Sequence, residues 1–401
     1  MKNRLKNLLL ALTAVVAFTA CKDDEGLDST ATPVVKYIRY TDPAQSDVYL
    51  TSASMGELIA IIGSGLEGVC SVRFNDVEAK LNPTYITANS VLVNVPGTLP
   101  TEITNTITLT TRKGRTCVVE NFVSKAPAPV IGSVSCEWAK PGDAVVIRGN
   151  YFFSKADGSD PELTIGGLPV AIDSYTNTEL SAVIPAGLDT SVRQRIALAN
   201  DNGTGRSMFY LYDRSNIFID FEDLSWDWWG RSSGDIFTDR GIDGSYMFLN
   251  GTSAAWNWNE DLSLFYCNIN EDGSVNTQLL PEGDDVSDYS LKFEIRSDAW
   301  VDGYMAMWFT GEYNTFSIDG DEAQCHWRGY EQGLPSGEWT TVTIPLTEFC
   351  YDKEETTTSR TLKSSDMKSF CIFFFGSLSD DANSGAALQV AVDNFRLVKK
   401  Q

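Results

Sequence analysis

Apolar residues recur through most of this chain in short alternating or β-branched runs, closed by Gly, Pro, Asn or Asp. Such runs stand at Leu58–Ile62, Val91–Val95, Ile107–Thr111, Val145–Ile147, Leu291–Ile295, Val342–Ile344 and Leu388–Val392. They carry the period of two that suits a strand with one buried face, and helical periodicity is scarce. Many short strands between frequent turn signals predict β-sandwiches. One apolar run is of another kind. It extends from Leu8 to Ala20, follows Lys2, Arg4 and Lys6, and stops at Cys21. A mature membrane span needs roughly 20 apolar residues. A shorter run behind a basic start reads as a secretory signal, residues 1–20, removed after export.

The middle of the chain repeats itself. Gly56-Glu57-Leu58-Ile59-Ala60-Ile61-Ile62-Gly63-Ser64-Gly65-Leu66 has a counterpart in Gly142-Asp143-Ala144-Val145-Val146-Ile147-Arg148-Gly149-Asn150-Tyr151-Phe152. Further on, Val72–Ala79 matches Leu163–Ala171, each two strands around a tight Asn-Asp or Gly-Gly turn, a strong hairpin signal. Val91–Pro96 then matches Leu180–Pro185. These features resemble IPT/TIG domains, immunoglobulin-like sandwiches, over residues 33–125 and 128–213. The resemblance implies spacers. Residues 21–32 are acidic and rich in Ser and Thr, the composition of a disordered tether. Ala126-Pro127-Ala128-Pro129 is a stiff joint, and a semi-rigid rod is expected. Residues 215–401 remain as a third, larger β-sandwich.

Charge narrows the partners. Acidic residues outnumber Lys and Arg by 54 to 31, and three of the basic ones lie in the signal. Nucleic acid is bound through clustered Lys and Arg, and no such cluster is present. A neutral ligand suits this balance. The single histidine, His326, excludes any site that needs two. No G-x-S-x-G elbow accompanies it. Seven cysteines follow Cys21, none in a C-x-x-C pair, so zinc-ribbon and thioredoxin chemistry do not fit.

Tryptophan is distributed unevenly: nine of the ten fall after residue 216. A sandwich core of this size uses only a few, and exposed aromatic groups mark binding sites. An indole face covers the apolar C–H face of a pyranose, while Asn, Gln, Asp or Glu bind the edge hydroxyls. Two clusters stand out, Trp226-Asp227-Trp228-Trp229 and Trp256-Asn257-Trp258-Asn259. In an extended segment, Trp256 and Trp258 face the same side and form a flat platform edged by the two asparagines. Trp228 and Trp229 are expected in a loop. Trp327 and Tyr330, in the Gly-rich stretch after His326, are further candidates for ligand contact. Trp300, Trp308 and Trp339 sit in regular strand patterns and are expected in the core.

Several resemblances join these observations. Phe18-Thr19-Ala20-Cys21 resembles a bacterial lipobox, which makes Cys21 the lipidated residue. Lys22-Asp23-Asp24-Glu25 resembles the surface-export signal of Bacteroidetes lipoproteins and implies an outer-membrane anchor facing the cell exterior. The segments Asn216–Glu222 and Val390–Leu397 resemble the paired terminal strands of jelly-roll carbohydrate-binding modules. In several such families acidic residues of these strands hold a structural calcium, which implies Glu222 and Asp393 here. No other cofactor is implied. Calcium takes six to eight oxygens, so further ligands would be needed. In this order, the lipidated Cys, the IPT/TIG units and the Trp-rich module are similar to Bacteroidetes surface glycan-binding proteins. That resemblance implies a non-catalytic lipoprotein that binds a neutral polysaccharide, such as xyloglucan, mixed-linkage glucan or a mannan. It would serve a SusC/SusD-like uptake complex, with Trp228, Trp229, Trp256 and Trp258 as the platform. Two other readings stay open: a small glycoside hydrolase with a carboxylate pair, and an adhesin for host ligands.

Overall fold

The computed structural model describes residues 31–155, 157–224, 236–253, 260–281, 283–313, 320–352, 360–375 and 386–400. Among them the regular structure is strands and short 3-10 turns. No described helix is long and apolar enough to cross a membrane. Six of the seven runs lie within an observed strand and the seventh, Val91–Val95, passes its strand's end by one residue: Leu58–Ser64, Ser90–Asn94, Thr106–Thr111, Ala144–Asn150, Tyr289–Ala299, Trp339–Pro345 and Ala386–Lys399. The chain divides into two compact units, one ending at Ala128 and the other starting at Pro129.

In the first unit one sheet runs in the order Val34–Tyr40, Leu58–Ser64, Ser90–Asn94. A second runs Val77–Glu78, Val69–Phe74, Thr106–Thr111, Thr116–Glu120. Alternate residues of these strands, among them Ile59, Ile61, Val72, Val93, Ile107 and Leu109, form the core between the sheets. The second unit begins with the same plan. Ala144–Asn150 pairs with Glu179–Val183 as Leu58–Ser64 pairs with Ser90–Asn94. Glu162–Ile165 lies between Leu168–Val170 and Ile196–Asn200, as Val69–Phe74 lies between its two neighbours. The hairpin after Glu162–Ile165 turns on Gly166 and Gly167, with φ of 59° and 80°. Two successive positive φ values define the turn whose twist matches a hairpin, and glycine adopts them without a steric penalty.

The C-terminal sandwich has a six-stranded sheet with Ala386–Lys399 at its centre, flanked by Tyr246–Ser253 and Tyr289–Ala299. The expected terminal pair is present: Ile217 of Ile217–Ile219 lies opposite Arg396. The other sheet is four-stranded, in the order Ser263–Tyr266, Ser369–Phe375, Tyr304–Thr310, Gln324–Trp327. Phe293, Ile295, Met305, Met307, Phe370, Ile372, Val390 and Val392 fill the space between them.

This sandwich and the second immunoglobulin-like sandwich are fused. Ile242, and in part Ile217 and Trp339, pack into the core of the immunoglobulin-like sandwich. Beside them lies a buried charge network. Arg396 bonds both carboxylate oxygens of Glu294, at 2.7 and 2.9 Å, and Glu137 Oε2 at 2.8 Å. Lys292 pairs with the other oxygen of Glu137. Thr341 Oγ1 donates to Glu294 at 2.9 Å and accepts the Glu137 amide at 2.7 Å. Burial raises the Glu294 carboxyl while Arg396 opposes the rise. Burial works against the Arg396 charge, but Glu294 and Glu137 raise its pKa above the ordinary value. Glu137 belongs to the immunoglobulin-like sandwich and the other four residues to the C-terminal one, so the network straddles the boundary.

Candidate functional site

Sheets of a sandwich usually turn one apolar face inward and one solvated face outward. The four-stranded sheet of the C-terminal sandwich departs from this. In Tyr304–Thr310, Met305, Met307 and Phe309 face the core, while Tyr304, Ala306 and Trp308 point to the opposite side. In Ser369–Phe375, Phe370, Ile372 and Phe374 face the core, and Cys371, Phe373 and Phe375 point away. Phe265 joins this second face from Ser263–Tyr266. The register sets Tyr304 opposite Phe375, Ala306 opposite Phe373 and Trp308 opposite Cys371. The result is an aromatic outer cluster in which every apolar side chain is no more than 5% exposed. Burial pushes the Cys371 thiol well above its ordinary range.

Polar and aromatic groups border this face. His326 lies opposite Ala306 and Gln324 opposite Trp308. The His326 ring stacks on Tyr304 at 4.4 Å between centroids and on Tyr351 at 5.6 Å. The Arg328 guanidinium sits 5.3 Å from the Tyr304 ring centre. Next to them is a small cleft of about 290 Å³, with His326, Trp327, Arg328, Glu331 and Tyr351 in its walls. Aromatic rings beside fixed hydrogen-bonding groups suit a sugar, whose faces are apolar and whose edges are polar.

The tryptophans named from the sequence fall into two groups. Trp228, Trp229, Trp256 and Trp258, with Trp226, lie outside the described residues, as does Cys21. The other four of the module are engaged in packing. Trp300 is buried in the sandwich core, as expected. Trp308 is buried too, but in the outer cluster. Trp339 is only partly buried. It packs on the neighbouring immunoglobulin-like sandwich, and its Nε1 donates to the Arg240 carbonyl at 2.7 Å. Its place at the first residue of Trp339–Pro345 puts it at the sandwich edge, beside that neighbour. Trp327 is half-buried, with ring contacts to Phe293 at 5.8 Å and Trp300 at 5.6 Å. Tyr330 leans on Trp300 at 5.8 Å. Both therefore serve the core, and Trp327 also lines the small cleft. The outer cluster was not anticipated, although Ser369–Phe375 signalled it. Six of its seven residues are apolar without alternation, the mark of a strand buried on both faces. Trp138, in the immunoglobulin-like sandwich, is buried and packs edge-on against Tyr212.

Glu222 and Asp393 have different settings. Glu222 is exposed, and its carboxylate accepts the Ser245 N–H at 2.6 Å and the Ser245 hydroxyl at 3.2 Å. It closes over Gly244, where a Cβ would meet Glu222 Oε1 at 2.2 Å. Asp393 is buried. Its Oδ1 accepts the Asn394 N–H at 2.8 Å, while Oδ2 has no hydrogen-bond partner. Burial raises its carboxyl well above the ordinary range, and the charges of Glu294, Asp243 and Glu222 add to the rise. Among the described residues no group of three or more His, Cys, Asp or Glu is placed to hold a metal ion. A buried carboxylate oxygen without a partner nevertheless fits a hard cation, which can draw its remaining oxygens from carbonyls and amides.

Residues 211–399 match the family model described as the surface glycan-binding protein B xyloglucan binding domain. Residues 129–212 match the IPT/TIG domain model. An IPT/TIG domain-containing protein of Bacteroides ovatus is 32% identical over 187 residues, 44% of this chain and 37% of that protein. The chain thus spans little more than a third of that curated relative. The crystal structure of the surface glycan-binding protein PbSGBP-B from Prevotella bryantii is similar over 93% of this chain and 100% of its own, with a TM-score of 0.65 and 25% identity. An SGBP-B from a complex xyloglucan utilization locus in Bacteroides uniformis covers 92% of this chain and 100% of its own, at a TM-score of 0.46 and 18% identity.

Proposed function

With residues 211–399 belonging to the surface glycan-binding protein B family of binding domains and residues 129–212 to the IPT/TIG family, we propose that this protein is a non-catalytic, lipid-anchored receptor for a neutral polysaccharide, a plant β-glucan or a mannan. Xyloglucan comes first, because the matching domain model carries that name. Mixed-linkage glucan and mannan follow. The observation that carries the reading is the allocation of tryptophan. Packing takes up Trp300, Trp308, Trp327 and Trp339, and the other five tryptophans of the module stand in residues 225–235 and 254–259. The second of these segments leads, through Glu260–Leu262, into the strand that carries Phe265 of the outer cluster. Trp228, Trp229, Trp256 and Trp258 form the platform in this reading.

Cys21 anchors the chain in the outer membrane, facing outward, and the immunoglobulin-like sandwiches hold the binding module away from the lipid. Captured polymer passes to a SusC/SusD-like uptake complex. The test is affinity electrophoresis of the mature chain in gels containing xyloglucan, mixed-linkage glucan, mannan or a host glycan, with an assay for reducing ends alongside. Retention by a plant β-glucan without new reducing ends is the expected result. Release of reducing ends at ordinary enzymatic rates would replace the receptor with a hydrolase. Retention by the host glycan alone would replace it with an adhesin.

Calcium is part of the proposal. Asp393, through its unpartnered oxygen, and Glu222 would hold the ion, which would compensate buried negative charge next to the terminal strand pair. A ligand bound only to the folded state and present at 100 times its Kd adds about 2.7 kcal/mol. For a protein of this size that corresponds to about 3–5 °C in Tm. Chelation is expected to lower Tm by that amount and added calcium to restore it. An unchanged Tm would remove calcium from the site.

A further inference from the structure

A cleft of about 640 Å³ opens where the second immunoglobulin-like sandwich meets the C-terminal one. Ligand clefts run from about 300 to 1,000 Å³ and favour domain boundaries. Among the described residues, its lining does not draw on the outer aromatic face. Glu137, Lys292 and Arg396 contribute from the buried network, so part of the lining is fixed donors and acceptors. Met208, 57% exposed, and Phe209 give it an apolar wall. Ser133, Ser290 and Thr341 add hydroxyls.

The charges of the cleft are unequally used. Glu137 is taken up by Lys292 and Arg396, Lys399 pairs with Asp284, and Asp213 accepts bonds from Ser215. Two cations of the lining have no carboxylate partner among the described residues. The Arg193 guanidinium lies 4.4 Å from the centre of the Tyr210 ring, whose hydroxyl and ring also engage Arg195. Lys400 Nζ donates to the Ser287 carbonyl at 2.8 Å. In a chain of net charge −23, two cations without a carboxylate partner among the described residues stand out.

We propose that this cleft binds an acidic sugar, a uronate residue within an oligosaccharide, with its carboxylate on Arg193 and Lys400. Guanidinium and ammonium groups provide the charge-assisted bonds a carboxylate needs. The hydroxyls of the lining meet those of the ring, and Met208 and Phe209 meet its C–H face. A small inorganic anion would use the cations and could accept from the hydroxyls, but it would leave the apolar wall unused. No described residue of its lining is one of those named for the proposed glucan platform.

The test is titration calorimetry of the mature protein with a uronate-containing oligosaccharide, a neutral glucan oligosaccharide of equal length, and inorganic phosphate. The uronate oligosaccharide is expected to bind, and Arg193→Ala and Lys400→Ala each to weaken it about tenfold or more, the loss of a charged hydrogen bond. Both residues are exposed, so neither change threatens the fold. Retention by neutral β-glucan, measured on the same variants, is expected to stay the same. That measurement separates failure here from failure of the β-glucan reading. Absence of saturable uronate binding would overturn the proposal, as would binding indifferent to both substitutions. Phosphate competing on equal terms would also overturn it, by reducing the site to one for any anion.

Discussion

Replacing Arg396 with methionine is expected to lower the unfolding free energy of the mature protein by about 3–5 kcal/mol, the cost of removing one partner from a buried ion pair. The Arg396 side chain is 1% exposed and that of Glu294 is fully buried. Without the guanidinium, Glu294 keeps only the Thr341 hydroxyl among its present partners, while Glu137 keeps Lys292. An uncompensated carboxylate at full burial is the dominant cost, larger than the loss of the Arg396 bonds themselves. Adding Glu294→Leu to Arg396→Met removes that carboxylate and is expected to recover much of the loss, since apolar replacement of a whole buried pair is often close to neutral. Urea denaturation followed by tryptophan fluorescence measures both variants. A loss below about 1 kcal/mol for Arg396→Met would mean that the pair is hydrated, as exposed pairs are. Glu137→Gln is the informative companion, because it changes the IPT/TIG domain alone. A stability loss reported by tryptophans of the binding module would show the two to be one cooperative unit.

That coupling was hidden in the sequence for a definite reason. In Tyr289–Ala299, Leu291, Phe293 and Ile295 alternate with Lys292, Glu294 and Arg296. The alternation correctly assigns a strand and its core face. It also marks the charged side as solvated, whereas Glu294 and Arg296 are buried there. Glu294 is held by Thr341, 47 positions away along the chain, and by Arg396, 102 away, which in turn binds Glu137 of the other sandwich, while Arg296 lies against the Tyr246 and Trp339 rings at 5.0 and 5.2 Å. A period of two says which residues share a face and nothing about what another domain lays over it. The repeat and the hairpin at Gly166-Gly167 were legible because they rest on local turn chemistry and strand pattern, whereas the terminal strand pair, which joins Ile217 to Arg396, was implied only by the resemblance to jelly-roll modules. Trp327 and Tyr330 show the converse limit. Glycine-rich surroundings suggest a loop, but their ring contacts with Phe293 and Trp300 depend on a distant strand. The fusion also alters what can be tested in isolation. A fragment starting at residue 215 would lack Glu137 and uncover the apolar contacts of Ile242 and Trp339, so its binding would not report on the intact module.

Trp256→Ala combined with Trp258→Ala is expected to abolish retention by β-glucan while leaving Tm within about 2 °C of the parent. Truncating an aromatic hot spot costs about 2–4 kcal/mol of binding. Two such losses on one platform weaken the affinity more than 100-fold, beyond what a gel retains. Trp308 is the opposite case, 1% exposed within the outer cluster. Trp308→Ala is expected to cost about 3–5 kcal/mol of folding free energy by leaving a cavity. Any loss of retention in that variant would follow unfolding. The two measurements together, retention and Tm, therefore distinguish a ring that meets the glycan from one that holds up the sheet beneath it. Undiminished retention in the double variant would move the platform away from residues 256–258. A fall in Tm as large as that of Trp308→Ala would assign both rings to packing, and the tryptophan surplus on which the receptor reading stands would shrink to Trp226, Trp228 and Trp229.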